Sequence, residues 1–209
     1  MAEPAIRHAM THAEFLAFEA VSEHRHAFHD GEIFSMAGGT RLHGSVGSAF
    51  IAAFAPLLRA RGCGCLANGP DVRLSPREGD SMYPDVSVSC PPVASPAWDP
   101  EAIANPLAVV EVLSPTTADW DRGGKFVLYQ LFPSLRHYLS AHADAWCVQH
   151  RERMNDGSWR LTDHGPDDVI PLSALGINLS VAEVYAPLLP SGGPTREARP
   201  IERPRFARA

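Results

Sequence analysis

The segment Leu107–Leu113 (LAVVEVL) most narrows what this chain can fold into. Its length and β-branching suit a strand, and it offers almost nothing polar to turn toward water, so both faces should be buried. A strand of that kind lies inside a sheet covered on both sides, which points to an α/β protein. One residue breaks the run. Glu111 puts a carboxylate where burial is costly unless a partner compensates it.

Other segments supply strands and covering helices. Thr11–Ala20 reads as a short helix with Thr11 as its cap, and Glu32–Met36 as a strand after the His29-Asp30-Gly31 turn. Thr40 can cap a mostly apolar helix over Val46–Arg59, with Phe50, Phe54, Leu57 and Leu58 on one face. Gly62–Gly69 reads as a turn-rich link, Asp71–Leu74 as a strand, and Pro76–Asp80 as a hairpin-like loop. Tyr83–Ser89 alternates like a half-buried strand, Val86 and Val88 inward and Ser87 and Ser89 outward. After the Pro-rich loop Pro91–Pro106 and the central strand, Asp121–Leu131 has helical spacing with Lys125 in its first turns. Arg136–Ser140, Ala145–His150, Trp159–Thr162 and Ile170–Leu172 read as strands, and Val181–Tyr185 as a short helix. These boundaries give a flexible start over 1–10, one domain over 11–186, and a disordered Pro- and Arg-rich tail over 187–209.

Lys125 stands out by composition. Of 18 basic side chains it is the single lysine. Arginine stays protonated and forked, whereas lysine is a compact charge that can be tuned, so the one retained lysine marks either a catalytic position or a chance surface site. Eighteen basic against 24 acidic side chains give a net charge of −6, which disfavours a protein that coats nucleic acid non-specifically. An enzyme that binds nucleic acid at one cleft is compatible with it. No apolar stretch is long enough for a membrane span, and the first residues lack a signal peptide's apolar core, so a cytoplasmic location is expected. Cys63, Cys65, Cys90 and Cys147 are then expected as free thiols, without zinc-ligand spacing. His24, His26 and His29 with Asp30 match no usual ligand set and read as an exposed turn. No P-loop or G-x-S-x-G elbow is present.

Asp85, Glu111 and Lys125 follow one another on two strands and the next helix. Two carboxylates from neighbouring strands can converge on one hard cation, since Mg²⁺ takes oxygen ligands and commonly one or two protein carboxylates. A nearby ammonium can orient an attacking water and offset developing charge. The same three residues also suit a surface Asp and a Glu–Lys ion pair holding the sheet.

The strings Asp30-Gly31-Glu32-Ile33, Tyr83-Pro84-Asp85-Val86-Ser87-Val88, Val110-Glu111-Val112-Leu113-Ser114-Pro115-Thr116-Thr117 and Asp121-Arg122-Gly123-Gly124-Lys125-Phe126-Val127-Leu128-Tyr129 carry a resemblance. So do Leu172-Ser173-Ala174-Leu175-Gly176-Ile177 and Ala182-Glu183-Val184-Tyr185. In order and spacing the chain resembles the Uma-type restriction endonuclease family, formerly a domain of unknown function, within the PD-(D/E)XK nuclease superfamily. The resemblance covers about residues 11–186. It implies a restriction-endonuclease-like core, an α+β mixed sheet flanked by helices. It also implies a Mg²⁺-dependent endonuclease cutting DNA phosphodiester bonds, with Mn²⁺ able to substitute. Asp85, Glu111 and the Val112 carbonyl would hold the cation, and Lys125 would be catalytic. In the superfamily pattern that lysine lies two residues after the Glu, where this chain has Leu113; here the following helix would supply it. His43, Glu32, Asp121 and Arg122 are candidates for substrate contact or support of the site, and His43 could equally be a packing residue. Relatives often carry a Glu where this chain has Ala27. That departure keeps a second reading open, a weak or inactive nuclease-fold module binding nucleic acid or a protein partner. A phosphoesterase acting on a small phosphate is a third. Cutting both strands of a duplex would favour a homodimer.

Overall fold

The computed structural model describes residues 10–36, 40–113 and 124–188. Its centre is a six-stranded sheet in the order β3 (Leu66–Asn68), β5 (Val86–Ser89), β6 (Ala108–Leu113), β7 (His137–His142), β8 (Val148–Arg153), β9 (Trp159–His164). Every neighbouring pair is antiparallel except β6–β7, which is parallel. A parallel pair needs a crossover connection, and the β6–β7 connection contains helix α3 (Gly124–Tyr129). A three-stranded sheet orders β2 (Glu32–Ser35), β1 (His26–His29) and β4 (Asp80–Ser81), and β10 (Val169–Leu172) pairs with β11 (Ile177–Ser180). The sheet is mixed and flanked by helices, as the Leu107–Leu113 run required.

All six residues of β6 are buried. Alternation along it divides two cores. Val110 and Val112 join Val86, Val88, Leu139 and Val148 beneath helix α2 (Arg41–Arg61) and helix α4 (Val181–Tyr185). Val109 turns the other way, toward Tyr129, Phe132 and Tyr138. Glu111 has the same parity as Val109, so its carboxylate points to the face under α3.

Helix α2 begins where a cap can form. The Thr40 side chain accepts from the His43 amide at 3.2 Å, which places His43 in the first turn. Phe50, Phe54 and Leu58 form its buried stripe, and Gly62 closes it at φ 64°, a left-handed conformation that suits glycine. Helix α1 (His12–Glu19) opens with a reciprocal capping box between Thr11 and Glu14. Replacing Thr11 by Ala removes a bond to an otherwise unpaired helix amide. The expected loss is about 1 kcal/mol of unfolding free energy by denaturant titration.

Several sequence expectations are corrected. Ser87 and Ser89 are buried rather than outward, because β5 lies between β3 and β6 with cover on both faces. Asp71–Leu74 carries only two isolated bridges, both at Leu74, and the strand lies earlier, at Leu66–Asn68, inside the expected link. Arg73 leaves ladder geometry to grip Asp99 with two nitrogens and the Tyr83 hydroxyl with a third. Cys65 and Cys90 form a disulfide beside the Leu66–Ser89 pair, so only Cys63 and Cys147 stay outside a disulfide. Part of the histidine-rich segment is strand β1, with His26 buried against Glu19 at 3.0 Å, whereas His24 and Asp30 are exposed in a bend and a turn.

A second buried histidine pair crosses β7 and β8. The Ala174 amide donates to His137 Nε2 at 3.1 Å, which leaves the His137 proton on Nδ1, directed at His150 Nε2 3.0 Å away. Burial pushes both imidazoles down to about 4. No helix among the described residues is long and apolar enough to cross a membrane.

Candidate active site

Strands β5 and β6 end out of step. Val86 pairs with Val110, and the same register continued one residue sets Asp85 across from Glu111. Strand β6 runs on to Leu113 after β5 has ended, so the Val112 amide needs another acceptor. Asp85 Oδ2 accepts it at 2.7 Å. The aspartate is therefore pinned to the peptide that follows Glu111.

Helix α2 supplies the other contact to Asp85. His43 Nε2 lies 2.7 Å from Asp85 Oδ1. That hydrogen bond raises the His43 pKa above its ordinary value against the lowering effect of burial; Glu111 adds to the rise and Lys125 opposes it. Gly47, one turn on, lies beside Asp85 without being required for this approach. A Cβ there would meet the Asp85 Cβ at 3.9 Å, an ordinary contact. The first turn of α2 also favours a nearby negative charge through the helix dipole.

Glu111 is only 2% exposed. Lys125 Nζ donates to its Oε2 at 2.9 Å, and the Tyr129 hydroxyl donates to its Oε1 at 2.6 Å. The two donors are four residues apart on α3, so they lie on one helix face. Burial first, then the negative Glu111, hold the Tyr129 phenol well above its ordinary pKa, and Asp85 contributes in the same direction. Both His43 and Tyr129 thus sense both carboxylates, which locates Asp85 and Glu111 in one electrostatic neighbourhood.

The structure brings together Asp85, Glu111, Val112, Lys125 and His43 from three elements and the residue that precedes β5. Glu32 sits apart on β2, opposite His29 in the three-stranded sheet. Asp121 and Arg122 lie outside the described residues, as do the Ser114–Thr117 string, the first nine residues and the tail from 189 onward. Tyr129 was missed by sequence reasoning. Its signal was present in the four-residue spacing from Lys125, which reads equally as the apolar stripe of a helix.

The one group of three candidate metal ligands among the described residues is elsewhere. Single ligand atoms of His29, Asp30 and Asp80 lie within 4.8 Å of one another. Arg77 already bonds both carboxylates, at 2.8 Å to Asp30 and 2.5 Å to Asp80, and His29 Nδ1 is 2.7 Å from Asp80. This is an ion-paired network that ties the β1–β2 turn to the Pro76–Asp80 loop, and a cation there would have to displace a guanidinium.

The donor set at Asp85 and Glu111 fits a hard divalent cation better. It offers two carboxylates from adjacent strands, next to the Val112 backbone, and Lys125 is a compact cation that can leave on a flexible stem.

Comparison with known proteins defines the class first. The fold matches a crystal structure from Anabaena variabilis titled as a "putative nuclease belonging to DUF820", with a TM-score of 0.67 and 19% identity over 86% of this chain and 99% of that one. The protein therefore shares that chain's fold. The chain belongs to the Uma2 family, described as "Putative restriction endonuclease", which matches residues 12–182. Two uncharacterized proteins of Synechocystis sp. PCC 6803 are also similar. One, slr1290, is 31% identical over 82% of this chain and 89% of its own length. The other, sll1609, is 30% identical over 74% and 86%. Family and fold together support a nuclease-type function.

Proposed function

We propose that the protein is a divalent-metal-dependent endonuclease that hydrolyses DNA phosphodiester bonds, with Asp85, Glu111 and Lys125 at its active centre. The observation that carries this reading is a buried carboxylate, Glu111, bonded to the chain's single lysine and one register step from a second carboxylate. Asp85, Glu111 and the Val112 carbonyl would hold Mg²⁺ or Mn²⁺. The cation would supply charge stabilisation at the phosphoryl oxygens when bound.

The chain's own residues do the rest. The Lys125 ammonium orients water toward phosphorus and offsets negative charge that builds in the transition state. Water adds to phosphorus and releases a proton to solvent, the bond to the leaving oxygen breaks, and that oxygen takes a proton from solvent. His43 keeps Asp85 in place through Oδ1, and the Val112 amide does so through Oδ2. Tyr129 holds Glu111 from behind.

Purified protein is expected to nick supercoiled plasmid in Mg²⁺ or Mn²⁺ and to stop when a chelator removes the cation. A small phosphodiester tested beside the plasmid separates a nuclease from a general phosphoesterase. Cleavage that persists in excess chelator, or a strong preference for the small substrate, would contradict the reading. Metal-independent DNA binding without cleavage would favour a non-catalytic module, the reading that Ala27 keeps open.

A further inference from the structure

We propose that Tyr129 is a positioning residue that fixes Glu111 through Oε1, and that Lys125 is a resident counterion which the divalent cation displaces from Oε2. The inference rests on the metal centre proposed above and adds a division of labour within it.

Tyr129 and Lys125 contact Glu111 in different ways. Tyr129 is fully buried, and its ring packs against Tyr138 with centroids 5.6 Å apart. A hydroxyl 2.6 Å from a carboxylate can only be the donor there. The donor to Oε1 is therefore neutral and immobile. Lys125 is charged, on a flexible four-carbon stem, and its side chain is 16% exposed. The donor to Oε2 can withdraw.

This arrangement answers a physical difficulty. A carboxylate buried to this degree cannot be left uncompensated before a cation arrives. Lys125 supplies the charge in the meantime, while Tyr129 holds the rotamer so that Oε2 faces the incoming ion. The ammonium set free then stays within reach of the substrate water. Glu111 would accordingly ligate through one oxygen.

Two residues touching the same carboxylate should thus act on cation affinity with opposite sign. Calorimetric titration of the full chain with MnCl₂ tests this. Tyr129→Phe is expected to weaken binding about tenfold or more, as loss of a supporting bond to a ligand usually does. Placing 4-aminophenylalanine at 129, which retains a donor, should restore most of that loss. Lys125→Met should tighten binding about threefold or more by removing a competing cation. The rescue and the Lys125→Met titration keep the test decisive if Tyr129→Phe melts below the working temperature. Unchanged affinity in Tyr129→Phe, or weaker affinity in Lys125→Met, would overturn the inference while leaving the metal centre standing. Failure of the unmodified protein to bind Mn²⁺ would overturn the centre itself.

Discussion

Glu111→Gln is expected to lower metal-dependent plasmid nicking about a thousandfold or more, equivalent to about 4 kcal/mol of transition-state stabilisation. The amide keeps the shape and can still meet Tyr129, but it carries no charge for a divalent cation or for Lys125. The substitution removes a charged ligand for the cation, and with it the ion pair that seats Lys125 beside Glu111 before the cation binds. Asp85→Asn should fall in the same range, because Asp85 is the second carboxylate. Initial nicking rates at saturating Mg²⁺ check both, with melting curves showing that the chain still folds. A Glu111→Gln protein that nicks at the unmodified rate would mean that the activity lies elsewhere.

Acid should unfold the protein well before most of its carboxylates protonate. His137 and His150 are buried as neutral imidazoles near a pKa of about 4, whereas an unfolded histidine titrates near 6.5. Between those values the unfolded chain binds more protons than the folded one, so stability rises with pH across that window. The contribution is fully present above about pH 6.5 and is lost as pH falls toward 4. It amounts to about 2–3 kcal/mol for each histidine at the lower end. Geometry agrees with this sign. A second proton on His137 would have to sit on Nε2, where it faces the Ala174 amide hydrogen. Denaturant midpoints at pH 7.5 and 4.5 should show the drop, and His150→Gln should remove about half of it. Equal stability at the two pH values would contradict the placement of these groups.

The fold was legible where burial is uniform. Leu107–Leu113 announced an interior strand because nothing in it could face water, and it became β6 with six buried residues. The α2 cap at Thr40 and its stripe of Phe50, Phe54 and Leu58 were equally readable. Ser87 and Ser89 misled because alternation identifies a solvent face only when that face is exposed; a strand between two neighbours and two layers has none. The β1 histidines misled because His26 is buried through a partner, Glu19, seven residues earlier, which composition cannot reveal. The Cys65–Cys90 bond depends on the β3–β5 pairing, and β3 itself has only three residues. At the site, Asp85, Glu111 and Lys125 could be named from order and residue type. Tyr129 and the Asp85–Val112 contact could not, since both depend on which atoms meet across elements.

A crystal structure grown with Mn²⁺, read by its anomalous signal, tests the central claim most directly. A single strong peak between Asp85 and Glu111, within bonding reach of the Val112 carbonyl and with Lys125 withdrawn from Glu111, is the expected result. A peak confined to His29, Asp30 and Asp80, with Lys125 still seated on Glu111, would contradict it.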